Sequence, residues 1–342
     1  MRKTSPRVGL VLGAGGVLGG AWMSGALHAI ATSMGWYPRQ ADHLVGTSAG
    51  SVLAALGAAG VPPWLLIPDA SAGVFHGNID AHGNLELLDD LWGRIVRRQR
   101  LNLPRPLPGS FPLALAALRQ RTPLGFMKLL SGLVPTGFIS TDPIKETVRW
   151  LSPRGWVDHP NCWIVACDYL TGERQVFGRD GAPAATIAEA VAASCAIPGY
   201  YAPERIENRL YVDGGLHSMS NIDLLNGLGL DLAIVLNPMS SRVPAPPSWD
   251  PLHHFTEVTR EVCARQVDGE VRALRAEGTQ VLMIEPGERD MRAIGLNLMD
   301  ETRRDRVMRT AVNTTALALQ RGDVRHLVDS VIRRGAPSVA AS

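Results

Sequence analysis

Ser48 is the residue around which chemistry can be argued first. It is the third residue of Gly46-Thr47-Ser48-Ala49-Gly50, with an apolar stretch before it and Val52-Leu53-Ala54-Ala55-Leu56 after it. In a G-x-S-x-G of this kind, glycines two before and two after the serine let a strand and a helix pack closely while the hydroxyl is presented at the turn. The N-terminus of the following helix also favours negative charge developing nearby. The chemistry this suggests is acyl transfer through a covalent serine ester, and the competing reading is an ordinary glycine turn.

A serine nucleophile needs donors for an oxyanion and a base for its proton. Gly13-Ala14-Gly15-Gly16-Val17-Leu18-Gly19-Gly20 could supply the donors through backbone N–H groups. The same loop could cradle a dinucleotide pyrophosphate, but Leu18 stands where the third glycine of G-x-G-x-x-G belongs. The acidic residue expected about 20 positions later is absent too, since the second strand runs into Gly46 and Ser48. Ester chemistry is the simpler account of the loop. For the base, Leu210-Tyr211-Val212-Asp213-Gly214-Gly215 places Asp213 at the end of a short strand, with Gly214 and Gly215 allowing close backbone approach. His217, His253, His254 and His326 all follow Asp213, and none has a compelling setting. Asp42, Asp168 and Asp223 are alternative carboxylates whose expected roles are local caps and ion pairs.

These residues need elements to position them. Arg7 to Leu12 reads as a buried strand, Gly13 to Gly20 as a loop, Ala21 to Met34 as a helix, Asp42 to Val45 as a strand, and Ser51 to Ala59 as a helix. Cys162 to Asp168, Arg209 to Val212, Asp231 to Asn237 and Gln280 to Glu285 are further buried strands, the short apolar runs that a sheet covered on both faces requires. His254 to Ala276 and Asp300 to Ile332 have helical spacing. Strand, glycine turn and helix in repetition make an α/β chain.

Composition narrows the classes. The 342 residues are 46% hydrophobic and 19% charged with net charge +2, which excludes disordered and fibrous chains and gives no basis for a nucleic-acid partner. Val8 to Pro38 carries no formal charge and is long enough for a membrane span, but Gly9, Gly13, Gly15, Gly16, Gly19, Gly20 and Gly25 punctuate it. Clustered glycine disfavours a continuous helix, so a buried strand and glycine loop are expected there, with no signal peptide or spanning helix. Cys162, Cys167, Cys195 and Cys263 show neither C-x-x-C pairing nor metal-ligand spacing, so free thiols in a reducing, cytoplasmic setting are expected, with no metal and no cofactor. Leu101 to Phe138 is rich in proline and mixes apolar clusters with Arg105, Arg119, Arg121 and Lys128 but no acid. It reads equally as an insertion that meets a lipid surface and as a pair of core helices.

Taken in order, the Gly15-Gly16-Val17-Leu18-Gly19 loop, the Gly46–Gly50 elbow, the stretch Ala193-Ser194-Cys195-Ala196-Ile197-Pro198 and the Asp213-Gly214-Gly215 turn resemble the patatin-like phospholipase family. The resemblance covers Val8 to about Leu225. It implies a three-layer α/β/α fold with a mostly parallel central sheet, and a Ser-Asp dyad without histidine. Ser48 would be the nucleophile, Asp213 the base, and Gly15, Gly16 and Val17 the oxyanion hole. The implied activity is hydrolysis of a lipid or other acyl ester by a phospholipase A, lysophospholipase or esterase. Acyl transfer and thioester hydrolysis would use the same dyad, while nucleotide binding and noncatalytic lipid binding are the rivals outside it. Leu18 stands where the family usually has Arg or Lys, which makes acyl-ester cleavage a firmer expectation than preference for a phospholipid. On this reading residues 8–225 form the catalytic core with 101–138 as a lid or peripheral-membrane contact, residues 226–335 pack on it, and 336–342 are a disordered tail.

Overall fold

The uncharged run at the start of the chain becomes a strand, a short loop and a helix in the computed structural model, which describes residues 6–66, 109–119, 125–152, 155–243, 251–328 and 330–331. β1 spans Val8–Leu12, α1 Gly16–Met34, β2 His43–Thr47 and α2 Ala49–Ala58. After them come α3 (Phe111–Arg119), α4 (Gly125–Leu133), α5 (Asp142–Arg149), β3 (Cys162–Asp168), β4 (Arg174–Phe177), α6 (Ile187–Ser194), β5 (Glu204–Ile206) and β6 (Arg209–Asp213). The last third supplies β7 (Leu232–Leu236), α7 (Pro251–Ala276), β8 (Gln280–Ile284), α8 (Glu288–Ile294), α9 (Arg304–Leu319) and α10 (Gly322–Val328).

One mixed, mostly parallel sheet runs β5-β6-β3-β2-β1-β7-β8, with β4 also paired to β3. The pairs β3-β2, β2-β1, β1-β7 and β7-β8 are parallel, whereas β4 and β6 run antiparallel to β3 and β5 antiparallel to β6. Side chains alternate between two cores, as the period of two requires. Leu10, Leu12, Leu44, Ile164, Ile234 and Leu236 face a core shared with α1, α2, α5, α6 and α9. Val11, Val45, Val165, Ala233 and Val235 face the other, closed by Val267, Val271 and Leu274 of α7. Helices on both faces of the sheet make the three-layer α/β/α arrangement, and burial on both faces explains why these strands read as continuous apolar runs.

The glycine-rich stretch departs from the sequence expectation. Helix begins at Gly16 rather than Ala21, so Gly19 and Gly20 join Gly25 within α1. A Cβ on Gly25 would stand 2.4 Å from the Met308 carbonyl oxygen of α9, and one on Gly19 3.0 Å from Pro238. Close helix packing, not a loop, requires those residues, and its burial outweighs the intrinsic cost of about 1 kcal/mol per glycine. Likewise the helix expected over Asp300–Ile332 is divided into a 3-10 turn at Glu301–Arg303, α9 and α10.

The described part of the 101–138 segment is a pair of short helices. Leu113 of α3 is fully buried with Cys167, Tyr169, Val212 and Leu216, and the buried Lys128 of α4 donates to the Gly172 carbonyl at 3.2 Å. Phe111, Leu115, Leu133, Val134 and Phe138 are exposed. Residues 101–108 and 120–124, and the tail 336–342, lie outside the described residues. No helix among the described residues is long and apolar enough to cross a membrane.

Candidate active site

The sheet register brings Ser48 and Asp213 to one place. Ile164 and Val165 of β3 each pair with β2 on one edge and β4 on the other; Ala166 and Cys167 each pair with β4 and β6. A strand residue has only two edges, so β6 continues the edge that β2 leaves. Thr47 sits opposite Val165 and Asp213 opposite Ala166, with the two strands pointing at each other end to end. Ser48 follows Thr47 directly, which sets the elbow against the carboxylate.

The elbow is strained and held. Ser48 has φ 54° and ψ −125°, the positive φ that a non-glycine residue adopts only where its surroundings enforce it. Those surroundings are backbone-tight: a Cβ on Gly46 would lie 2.6 Å from Ser51 Cα, and one on Gly50 2.0 Å from the Leu12 carbonyl oxygen. Ser51 donates to the Ser48 carbonyl through its N–H at 2.8 Å and its hydroxyl at 2.6 Å. The Ser48 N–H donates to Ser194 Oγ at 2.9 Å, and that hydroxyl donates to the Val165 carbonyl at 2.6 Å. Ser194 thus bridges the gap where β2 stops and β6 has not yet begun. α2 starts at Ala49, placing Ser48 at the positive end of a helix.

Asp213 is buried, and its N–H donates to the Ala196 carbonyl at 3.0 Å. Its Oδ1 accepts the Gly215 N–H at 2.7 Å. A Cβ on Gly214 would be 2.4 Å from the Val165 carbonyl oxygen, so glycine is needed there for the turn to pass the strand, and one on Gly215 would crowd Asp213 Oδ1 at 3.0 Å. Loss of hydration pushes the Asp213 carboxyl up to about 6, while hydrogen-bonding partnership with the Ser48 side chain and the Gly215 amide holds it from rising further. A carboxylate that titrates near neutrality beside a hydroxyl has the basicity for proton transfer that an exposed one lacks.

The glycine loop completes the surroundings of Ser48. The Gly13 N–H donates to Leu236, Ala14 to Met219, Leu18 to Leu298 and Gly19 to Gly15, each at 2.8 or 2.9 Å. Among the described residues no protein acceptor takes the N–H groups of Gly15, Gly16 or Val17, the unpaired first amides at the start of α1. Gly16 and Val17 line a small cleft of about 30 Å³ with Ser48, Ala49, Val52, Ile144, Cys195, Ile197, Tyr201 and Met299. Gly15 lies outside that lining, under Pro238, where a Cβ would come within 2.5 Å of the proline ring. None of the lining side chains carries a charge. Leu18, at the position of the family's usual cation, is fully buried in the core.

The other candidate residues lie elsewhere. Asp42 accepts the Val8 N–H at 2.7 Å, Asp168 accepts those of Leu170 and Thr171 and pairs with Arg209, and Asp223 pairs with Arg174 at 2.7 Å. No hydrogen bond joins His217 to Ser48 or Asp213 among the described residues, and burial, with Arg174 and Lys128 nearby, pushes its pKa down to about 4. His326 is exposed on α10. The four cysteines are free and buried. Among the described residues no group of three or more His, Cys, Asp or Glu side chains is placed to hold a metal ion.

Ile197, from the stretch that precedes the Asp turn, and Tyr201 both line the cleft. Tyr200 packs edge-on against Tyr201, and Val212 faces the opposite cluster. Val52, Ile144 and Met299 were not singled out, since nothing local distinguishes them from ordinary core residues. A topological signal existed for Asn237-Pro238: β7 lies beside β1, so its end must approach the glycine loop.

The solved structure of VipD from Legionella pneumophila is similar at 15% identity, covering 96% of this chain and 67% of that one, with a TM-score of 0.40. The family model for patatin-like phospholipases matches residues 10–226, from β1 through the elbow and past the Asp213 turn. With more than half of its length matched, and the glycine loop, elbow and Asp turn all inside the match, the chain belongs to the patatin-like phospholipase family, which implies a lipid acyl hydrolase.

Proposed function

We propose that this protein hydrolyses lipid acyl esters through Ser48 as nucleophile and Asp213 as the only base. The observation that carries the reading is the end-to-end meeting of β2 and β6 along β3, which seats a buried, basic carboxylate against a strained serine. Asp213 takes the hydroxyl proton as Ser48 Oγ bonds to the ester carbonyl carbon, and the amides of Gly15, Gly16 and Val17 receive the oxyanion. Collapse of the tetrahedral intermediate breaks the ester C–O bond, and the proton on Asp213 passes to the departing alkoxide. Water then enters, gives its proton to Asp213 and attacks the acyl-enzyme; a carboxylic acid leaves and Ser48 recovers its proton.

The substrate end of the reaction follows from the cleft. Its walls are apolar and uncharged, which suits an acyl chain and offers no cation to a phosphate. Any head group is therefore held outside this cleft. Exposed Phe111, Leu115, Leu133, Val134 and Phe138 are suited to contact with a lipid surface, and Phe138 adjoins Ile139, which bridges to Tyr201 of the cleft wall. The test is a panel of neutral esters and phospholipids of graded chain length, with Ser48→Ala as control. Hydrolysis of neutral acyl esters that disappears in the variant supports the reading; equal turnover by the variant contradicts it.

A further inference from the structure

We infer that Met299, from the C-terminal third of the chain, determines which acyl groups the site accepts. This rests on the proposed dyad reading but concerns a residue beyond positions 10–226, the span of the family match. Met299 lies between α8 and the 3-10 turn at Glu301–Arg303, far from the motifs in sequence.

Three observations place it at the cleft that holds Ser48. The Leu298 carbonyl accepts the Leu18 N–H at 2.9 Å, which seats this turn on the first turn of α1, directly after the free amides of Gly16 and Val17. A Cβ on Gly16 would meet the Leu298 carbonyl oxygen and Met299 Sδ, each at 3.2 Å. Met299 also lines the cleft together with Ser48 and Val17. Glycine at position 16 suits its φ of +61°, and a side chain there would crowd the turn above it.

The turn is fixed while its side chain is adaptable. Asn297 Oδ1 accepts the Met299 N–H at 3.0 Å, and the Asp300 N–H donates to the Asn297 carbonyl at 3.2 Å. The backbone anchor through Leu298 survives any side-chain change at Met299. The cleft of about 30 Å³ is small, so how far its wall yields governs how much of an acyl chain it takes in. Val52, Ile144 and Tyr201 of the wall are buried in the core; Met299 is half-buried, as is Ile197, but it alone of the lining side chains is an unbranched thioether that readily changes rotamer. It therefore acts as the movable roof of the acyl pocket.

The experiment compares Met299→Ala, Met299→Trp and, as a control on an exposed neighbour outside the cleft, Leu296→Ala. Each is assayed for kcat/KM on ester substrates from acetate to palmitate and for labelling rate by short- and long-alkyl fluorophosphonates. Met299→Ala is expected to raise the long-to-short ratio by roughly tenfold or more, and Met299→Trp to lower it by a similar factor, the scale on which hydrophobic pockets discriminate single methylenes. Leu296→Ala is expected to match wild type. An unchanged ratio in both Met299 variants, with Ser48 still labelled by the short probe, overturns the inference and leaves the dyad reading standing. Absence of Ser48 labelling in the wild-type protein overturns both.

Discussion

Thr47, the last residue of β2, and Asp213, the last residue of β6, face successive residues of β3 along the same edge, Val165 and Ala166. Two strands approaching head-on leave a break in the ladder, and everything proposed to act in catalysis is arranged around that break. Ser48 turns away from it with a positive φ, Ser194 bridges it, and Gly214 passes against the Val165 carbonyl.

Burial of Asp213 costs stability as well as providing basicity. Its carboxyl ionises near 3.8 when unfolded and at about 6 in the fold. Between those values the folded state holds the proton more tightly, so stability falls as pH rises through the window; below it no penalty exists, and above it the full penalty remains. The difference corresponds to something on the order of 2–3 kcal/mol. Asp213→Asn, whose amide oxygen can still accept the Gly215 N–H, is expected to be inactive yet more stable than wild type near neutral pH, with the gain vanishing toward about pH 4. Denaturant titrations at both pH values check this, and a loss of stability at neutral pH contradicts it.

The same ionisation sets an activity profile. kcat/KM is expected to rise with a single midpoint near the Asp213 value of about 6 and to level off above it. His217, pushed down to about 4, is neutral throughout, so His217→Ala is expected to keep the midpoint. If that variant is silent while Asp213→Asn retains turnover, a histidine triad is operating and the dyad is wrong.

Much of this site was legible because its requirements are local. A G-x-S-x-G between apolar runs and an Asp-Gly-Gly after a strand are dictated by backbone geometry over five or fewer residues, and Gly46, Gly50 and Gly214 each meet backbone at contact distances no Cβ tolerates. Gly19 misled because propensity penalises glycine in helices, whereas the contact that crowds it comes from Pro238, distant in sequence. β4 and β5 were missed because Arg174-Gln175-Val176-Phe177 and Glu204-Arg205-Ile206 are short and polar, and only pairing makes them strands. Met299 was invisible for the same reason: its place over Gly16 depends on the packing of α8 and α9.

Ser194 is expected to be a positioning residue. Ser194→Ala leaves the buried Ser48 N–H and Val165 carbonyl without their bridge, at a cost of about 1–3 kcal/mol for each group left unpaired. Lower unfolding free energy together with reduced kcat, at an unchanged chain-length profile, is the expected outcome. Wild-type kcat in a destabilised variant would show that the bridge supports the fold without aligning the serine.

Two glycines give opposite expectations for the same substitution. Gly50→Ala would place a Cβ 2.0 Å from the Leu12 carbonyl oxygen; a backbone wall cannot yield, so loss of roughly 3 kcal/mol or more is expected. Gly269→Ala on α7 meets nothing within 4 Å and is expected to stabilise the helix by about 0.5–1 kcal/mol. Paired thermal unfolding of the two variants reads the sign directly.

The most direct test is site-mapped labelling with a fluorophosphonate, resolved by peptide mass spectrometry. A covalent adduct on Ser48 is expected in the wild-type protein, slowed in Asp213→Asn and absent in Ser48→Ala. An adduct on another residue, or labelling that persists in Ser48→Ala, would contradict it.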